Sequence, residues 1–360
     1  MLPYIALIVL PVIFQHISLS KGTITLSADK KKSETAMKVF WFILLVLLVL
    51  RSEDTGRDLD NYKRIYETIA KSGWEQAIKR SAEVGYNFVN KLISFWDGSF
   101  RWLMILSAIA SVYFTAKAYI KYSEDAVLTI ATYLNFSCFL LLFSGLKQSI
   151  AMSLGFVAFE LVRKKKIVPF LIIVVIATMF HASAFMLLFM YPLYHIRVRK
   201  GHLVFVIPAL LIVFGFNQPI FTFLGNILES FTEYDTTITE TGAYATLILF
   251  VILAVFSFVI PDEKKLDQDT IGLRSFLLFS VALQMFASLH PLAMRMNYYY
   301  IVFTPILVSR IVKCPSTYWL RVAKFARNVM VVYFILYFFI TAPRDNVMDT
   351  FPYQFFWQTN

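Results

Sequence analysis

The amino-acid sequence reads as an all-α membrane bundle of about twelve spans. Hydrophobic residues make up 58% of the chain and charged residues 16%, with a mean hydropathy of +0.65 over 360 residues. A soluble domain of that length needs more polar surface than this composition supplies. Apolar stretches also recur along the whole chain, each near the length that carries a helix across a ~30 Å hydrocarbon core. Finally, uninterrupted runs such as Phe40 to Leu50 and Ile167 to Ile176 argue against a closed barrel, whose strands alternate apolar and polar residues.

The apolar stretches lie at about 2–19, 37–50, 99–117, 126–144, 148–162, 167–180, 182–195, 203–216, 243–260, 274–290, 297–313 and 327–341. Four of them, 37–50, 148–162, 167–180 and 182–195, fall short of the ~20 residues a straight span needs, which suits half-spans or helices bordering a polar cavity. The first has little positive charge before it and no small-residue cleavage site after it, and reads as a retained span. Cys138 lies inside a span and Cys314 in a basic loop, a pattern unlike a disulfide framework. No repeat or low-complexity linker interrupts the chain. Residues 1–360 therefore read as a single integral membrane domain, with 51–99 a long loop within it.

Orientation follows from the basic residues. With the N-terminus outside, the cytoplasmic loops hold 22 of the 34 lysines and arginines, as the positive-inside rule requires. Nine of the other twelve lie between Arg51 and Arg101, in a long loop where that rule weakens and acidic residues roughly balance them. The short outer loops keep only Lys147, Arg295 and Arg344. The net charge of +11 is thus mostly a topogenic signal, and nucleic acid is not an expected partner.

Five polar features then share the outer face. The loop opening Arg51-Ser-Glu-Asp-Thr-Gly-Arg57-Asp58-Leu-Asp60-Asn-Tyr62 has turn composition. Asp58 or Asp60 can cap a helix with Tyr62, Ile65, Tyr66 and Ile69 on one stripe. Gly73 and Gly85 read as breaks before a second amphipathic stretch carrying Phe88, Val89, Leu92, Ile93 and Trp96, and both helices suit the outer interface. Gly145-Leu-Lys147-Gln148-Ser149 joins two spans with almost no loop; a lysine there either snorkels or points into the bundle, where charge is costly and usually functional. Phe180-His181-Ala-Ser183 forms another tight outer turn. His290-Pro-Leu-Ala-Met-Arg295-Met-Asn297 leads into Tyr298, Tyr299 and Tyr300, and the tail carries Pro352-Tyr353.

Other chemistries are poorly served. The five histidines are scattered without metal-ligand spacing, and no Walker loop, dinucleotide fingerprint or nucleophile elbow is present. Neither a metal nor a cofactor is expected. Arginines and a lysine at one leaflet instead suit phosphate or pyrophosphate, which guanidinium forks match with paired hydrogen bonds. A lipid-linked pyrophosphate would place its polyprenyl tail between spans and its headgroup near Arg51, Arg57, Lys147 and Arg295, with Tyr62, Tyr298, Tyr353 and nearby tryptophans as stacking surfaces for sugars.

These residues, in this order, resemble the EpsG family of Wzy-like exopolysaccharide and O-antigen polymerases: Arg51…Thr-Gly-x-Asp58…Tyr62, Gly-Leu-Lys-Gln-Ser-Ile-Ala151, Phe180-His181-x-Ser183, Arg295 with following tyrosines, and Pro352-Tyr353. The resemblance covers nearly the whole chain and implies the multispanning GT-C architecture. It implies transfer of a growing glycan from one undecaprenyl pyrophosphate carrier to a repeat unit on another at the outer leaflet, without a nucleotide sugar, in a bacterial inner membrane. A flippase and a chain-length regulator are the protein partners it implies. Two departures stand out. Lys147-Gln148 replaces the family's common Arg-Gln, a point charge for a fork, and Arg57 occupies a position that is often small.

The expected chemistry is inverting glycosyl transfer, with Asp58 or His181 as general base and Arg51, Lys147 and Arg295 stabilising the leaving pyrophosphate. Asp58 ranks first because the family pattern centres on it. Gln148, Arg57, Tyr62, Tyr298 and Tyr353 complete the expected substrate contacts. Rival classes are a flippase or transporter of lipid-linked oligosaccharide, which would show midplane charges and repeat symmetry, a non-catalytic export subunit, for which only loop surfaces would matter, and an acyltransferase acting on glycans with His181 as base, which would require an acyl donor.

Overall fold

The computed structural model describes residues 2–17, 26–96, 98–227 and 241–358. Described residues are almost entirely helical, with β-pairing limited to isolated bridges. They divide into two compact units, Met1–Leu188 with Phe325–Asn360, and Phe189–Lys324.

The first unit contains α1 (Leu2–Ile17), α2 (Leu26–Leu50), α3 (Leu59–Lys71), α4 (Trp74–Lys79), α5 (Val84–Phe95), α6 (Phe100–Tyr122), α7 (Ala126–Asn135), α8 (Ser137–Ser144), α9 (Leu146–Arg163) and α10 (Ile167–Phe180). The second contains α11 (Met190–Ile196), α12 (Leu203–Gly215), α13 (Asn217–Ile227), α14 (Thr241–Val259), α15 (Gln268–Gln284), α16 (Pro291–Ile301) and α17 (Thr304–Lys313). The last helix, α18 (Leu320–Asp345), returns the chain to the first unit.

Three helices are long and apolar enough to cross a membrane alone: Lys30–Leu50, Phe100–Tyr122 and Leu320–Asp345. The number rises to five if each of two bent helix pairs forms one span. Each of the twelve apolar stretches contains helix in its described part, but breaks divide several into shorter pieces. The 126–144 stretch bends by 60° between α7 and α8; near the break, Asn135 Nδ2 donates to the Ala131 carbonyl and to Phe334 O on α18, each at 2.7 Å. The 297–313 stretch breaks before Pro305, which lacks the N–H needed to continue a helix and sits in the first turn of α17. Conversely, 37–50 is only the apolar end of α2, whose first turns carry the Lys30-Lys31-Lys32 run.

The first unit segregates its charged residues at two ends. At one end Lys30 meets Glu124 (3.4 Å), Lys121 meets Glu160 (2.7 Å), and Arg327 grips Asp125 through Nε and Nη2 at 2.8 and 3.0 Å. These are residues assigned to cytoplasmic loops by charge counting. At the opposite end the tail folds back onto the loop after α2: Ser52 N–H donates to Gln354 O (2.8 Å), Phe356 N–H to Leu50 O (3.0 Å) and Arg57 N–H to Met348 O (3.0 Å). Loop and tail therefore occupy one face.

The second unit has its own buried pair. The Arg274 side chain is fully enclosed, pairs with Glu263 through Nη1 and Nη2 (2.9–3.2 Å), donates to Ser257 O (2.8 Å), and stacks over Phe258 with Cζ 4.2 Å from the ring centre. Tyr194 donates to Asp269 at 2.6 Å, and Arg310 pairs with Asp267.

Candidate active site

The loop and helices of 51–99 do not fold as hydropathy alone suggests. The α3 stripe is as expected, with Leu59, Tyr62, Tyr66 and Ile69 buried. In α5, however, the buried face consists of Tyr86, Asn87, Asn90, Lys91 and Ile93, while Phe88, Phe95 and Trp96 are exposed. Only part of the apolar stripe, Phe88, Phe95 and Trp96, faces away from the protein interior, while Ile93 and Val89 pack into the core. Polar groups can turn inward because their partners are there: Lys91 Nζ donates to Ala70 O (3.1 Å) and Ser72 O (2.6 Å) at the end of α3, a cation on helix-terminal carbonyls. Gly85 does not break the helix. It lies inside α5, where a Cβ would come within 3.0 Å of Met179 Cβ on α10, so the missing side chain permits close packing.

Two arginines hold the loop after α2 in place. Arg51 is completely buried and its Nη1 donates to the carbonyls of Leu142 (3.2 Å) and Phe143, the last turn of α8. Arg101 does the same for α2, donating to Val49 O (2.8 Å) and Arg51 O (3.2 Å) with its guanidinium over the Phe356 ring. Both place a cation on carbonyls that a helix end leaves unpaired. Burial brings the Arg51 pKa down to about 10, with Tyr353 and Tyr4 opposing the shift and Arg101 adding to it, so the group remains charged at neutral pH. Arg51 is thus neither a snorkelling anchor nor an exposed fork. Its Nε and Nη2 are buried without a hydrogen-bond partner, enclosed with the buried rings of Tyr4, Phe143 and Tyr353.

Gly56, with φ +142°, lets the loop pass directly over the Phe143 carbonyl. Two residues on, Asp58 occupies the N-cap position of α3 but makes no side-chain cap bond. Its carboxylate instead accepts from the Ser144 hydroxyl (3.0 Å), which in turn accepts from Asp58 N–H (3.1 Å). The expected cap is replaced by this reciprocal link to Ser144, at the end of α8.

Three residues after Ser144, Lys147 rises from the first turn of α9 and pairs with Glu83. Its ammonium lies 5.7 Å from the Tyr62 ring centre and 5.6 Å from that of Tyr86, a cation held between aromatic faces. The second oxygen of Glu83 accepts from His181 Nδ1 at 2.7 Å. His181 ends α10, and its Nε2 is buried without a hydrogen-bond partner. Burial raises the Glu83 pKa, but the His181 hydrogen bond and the Lys147 charge outweigh it, and the net shift is downward. Lys147, His181 and the pair Tyr62 and Asp58, drawn from three sequence motifs, thus gather at one end of the first unit, and Gln148 is buried in the same turn of α9.

Other expected contacts lie elsewhere. Arg57 is exposed and donates to Val347 O of the tail at 3.4 Å. Tyr353 is buried with its hydroxyl on Leu47 O (2.7 Å), an anchor of the tail and not an open stacking surface. In the second unit, Arg295 is exposed on α16, Tyr298 is buried, and His290 caps α16 by accepting from Leu292 N–H at 3.1 Å. Among the described residues no three His, Cys, Asp or Glu side chains converge as metal ligands would.

Glu83 and Arg101 are absent from the sequence expectation. Glu83 sits in the long, charge-balanced loop where a single carboxylate looks solvated, Arg101 stands in the first turn of α6 where it reads as a span-end anchor, and no motif marks either.

The model of the family described as the EpsG family matches residues 35–355. No curated protein and no solved structure matches the chain.

Proposed function

The chain belongs to the EpsG family of Wzy-like polymerases, and on that premise we propose that it is a polysaccharide polymerase transferring a glycan from undecaprenyl pyrophosphate to a lipid-linked repeat unit. The reaction takes place at the extracytoplasmic face of the bacterial inner membrane, in a multipass bundle of about twelve spans of GT-C type. The observation that carries the reading is the Glu83-bridged pair of Lys147 and His181 at the same end of the unit as Asp58.

His181 is the better-equipped base of the two candidates. With Nδ1–H donated to Glu83, the neutral ring presents Nε2 as a proton acceptor. Asp58 has one carboxylate oxygen already engaged by Ser144 and suits orientation of the acceptor sugar. Lys147 supplies positive charge for the departing pyrophosphate, with Gln148 and Tyr62 as further contacts; Arg295 and Tyr298, in the second unit, are substrate contacts on the family resemblance alone. Arg51 and Tyr353 serve the site indirectly by fixing the loop and tail around α8, and Arg57 by tying that loop to the tail. A flippase delivering repeat units and a chain-length regulator are the partners this role requires.

The test is the glycan profile of cells lacking the gene. Single capped repeat units in place of long chains support the polymerase; repeat units trapped on the inner leaflet would instead make the protein a flippase. Arg295→Ala, at an exposed position, should abolish polymer while leaving the protein in the membrane.

A further inference from the structure

Three placements around Glu83 run against what helix ends and buried polar groups ordinarily favour. Glu83 stands at the N-cap of α5 but makes no side-chain cap bond there, forgoing the favourable contact of a carboxylate with its own helix N-terminus. It reaches instead to α9 and α10. Lys147 lies in the first turn of α9, where the helix dipole disfavours a cation. His181 Nε2 is shut away without a hydrogen-bond partner. The side chains of Glu83, His181 and Lys147 are only 13%, 16% and 19% exposed, so three ionisable groups are largely withdrawn from water at one point. Such clustering of ill-placed ionisable groups is characteristic of functional sites.

We propose that Glu83 is the positioning residue of this site: one carboxylate oxygen fixes His181 with its proton on Nδ1, and the other holds Lys147 until the anionic part of the donor takes its place. The proposal rests on the polymerase reading. Before the donor binds, the Glu83 charge is shared between the ammonium and the imidazole. Once pyrophosphate oxygens pair with Lys147, that charge is directed at His181 alone, and the base is strongest when the leaving group is in place. In the transfer, the acceptor hydroxyl oxygen bonds to the anomeric carbon and its proton passes to His181 Nε2. The bond from that carbon to the pyrophosphate oxygen breaks, and its electron pair departs with the pyrophosphate. The imidazolium formed keeps its Nδ1–H on Glu83. The charged and titratable groups facing His181 and Glu83 are each other, Lys147 and the phenol of Tyr86, with the Tyr62 and Tyr86 rings bounding the lysine.

Purified full-length protein given a lipid-linked repeat unit tests this. Glu83→Gln should lower kcat by about 100-fold or more, within the range general-base catalysis supplies, with KM changed far less, and should move the acid limb of the pH–rate profile to lower pH. Glu83→Asp should restore part of kcat. A merely structural carboxylate would reduce the folded yield but leave kcat per folded molecule and the acid limb where they are, and that result overturns the proposal. A second readout needs no turnover. Nitrogen-15 resonances of His181, assigned by their loss in His181→Ala, should show Nδ1 protonated and Nε2 bare at neutral pH, and should lose that preference in Glu83→Ala. An Nε2-protonated ring in the wild type overturns the proposal. If the wild type makes no polymer while His181 has the expected tautomer, the polymerase reading fails and the Glu83–His181 assignment stands.

Discussion

Arg51→Ala separates two roles for a residue that sequence reasoning places against the leaving group and the structure places against a helix end. The side chain is fully buried, and its Nη1 holds the Leu142 and Phe143 carbonyls. Losing that donor leaves buried carbonyls unsatisfied, on the order of 1–3 kcal/mol. Truncating a large enclosed side chain to alanine adds a cavity whose cost in cores runs ~2–5 kcal/mol. Opposing both, the guanidinium carries two nitrogens without partners, and alanine relieves the penalty of burying that charge. The net expectation is a loss of about 2–4 kcal/mol, with partial compensation among the three effects. Thermal unfolding of purified protein in lipid nanodiscs should show the midpoint falling by roughly 5 °C or more, and less protein should accumulate in the membrane. Arg51→Lys, which keeps a cationic donor for one carbonyl, should lie between. Wild-type thermal stability in Arg51→Ala together with complete loss of polymer would refute the capping argument and return Arg51 to the substrate.

Further outcomes follow from the same geometry. Since the tail pairs with the loop after α2 through Ser52, Leu50 and Arg57, single cysteines at Gln76 and Gln354 should react alike with an impermeant reagent on intact cells, and opposite labelling would break the shared face. Gly56→Ala puts a Cβ onto the Phe143 carbonyl at a backbone angle side chains rarely adopt, a strain of about 1–3 kcal/mol; it should displace Asp58 from Ser144 and lower polymer yield with the protein still inserted, and a wild-type yield would show that the loop geometry is dispensable. The Glu83 pKa is lowered in the folded protein, so its contribution to stability is fully present above the ordinary carboxylate value of 4.5 and is lost as pH falls through the lowered one. Unfolding midpoints of wild type and Glu83→Gln should therefore converge on acidification, and a constant gap down to pH 3 would contradict the pairing.

Much of this protein was legible in one dimension. Apolar run length marked most of the described helices, though not α4 or α13, because a helix in lipid must satisfy its own backbone and expose apolar side chains. The α3 stripe of Tyr62, Tyr66 and Ile69 followed from helical period, and the placement of basic residues anticipated the charged end where Lys30, Lys121 and Arg327 find their acids. Lys147, His181 and Asp58 stood out because polar groups beside apolar spans are conspicuous. What pairs with them was not legible. Glu83 lies 64 positions from Lys147 and 98 from His181, in a loop where hydropathy treats any carboxylate as solvated, and only the packing of α5 against α10 brings it to both. The same limit hid the burial of Arg51, since a guanidinium after a span looks like a headgroup anchor until α8 ends against it. Period and composition are local properties of a chain and can be read along it. Partners across the bundle are fixed by which helix ends meet, and that is decided only when the helices pack.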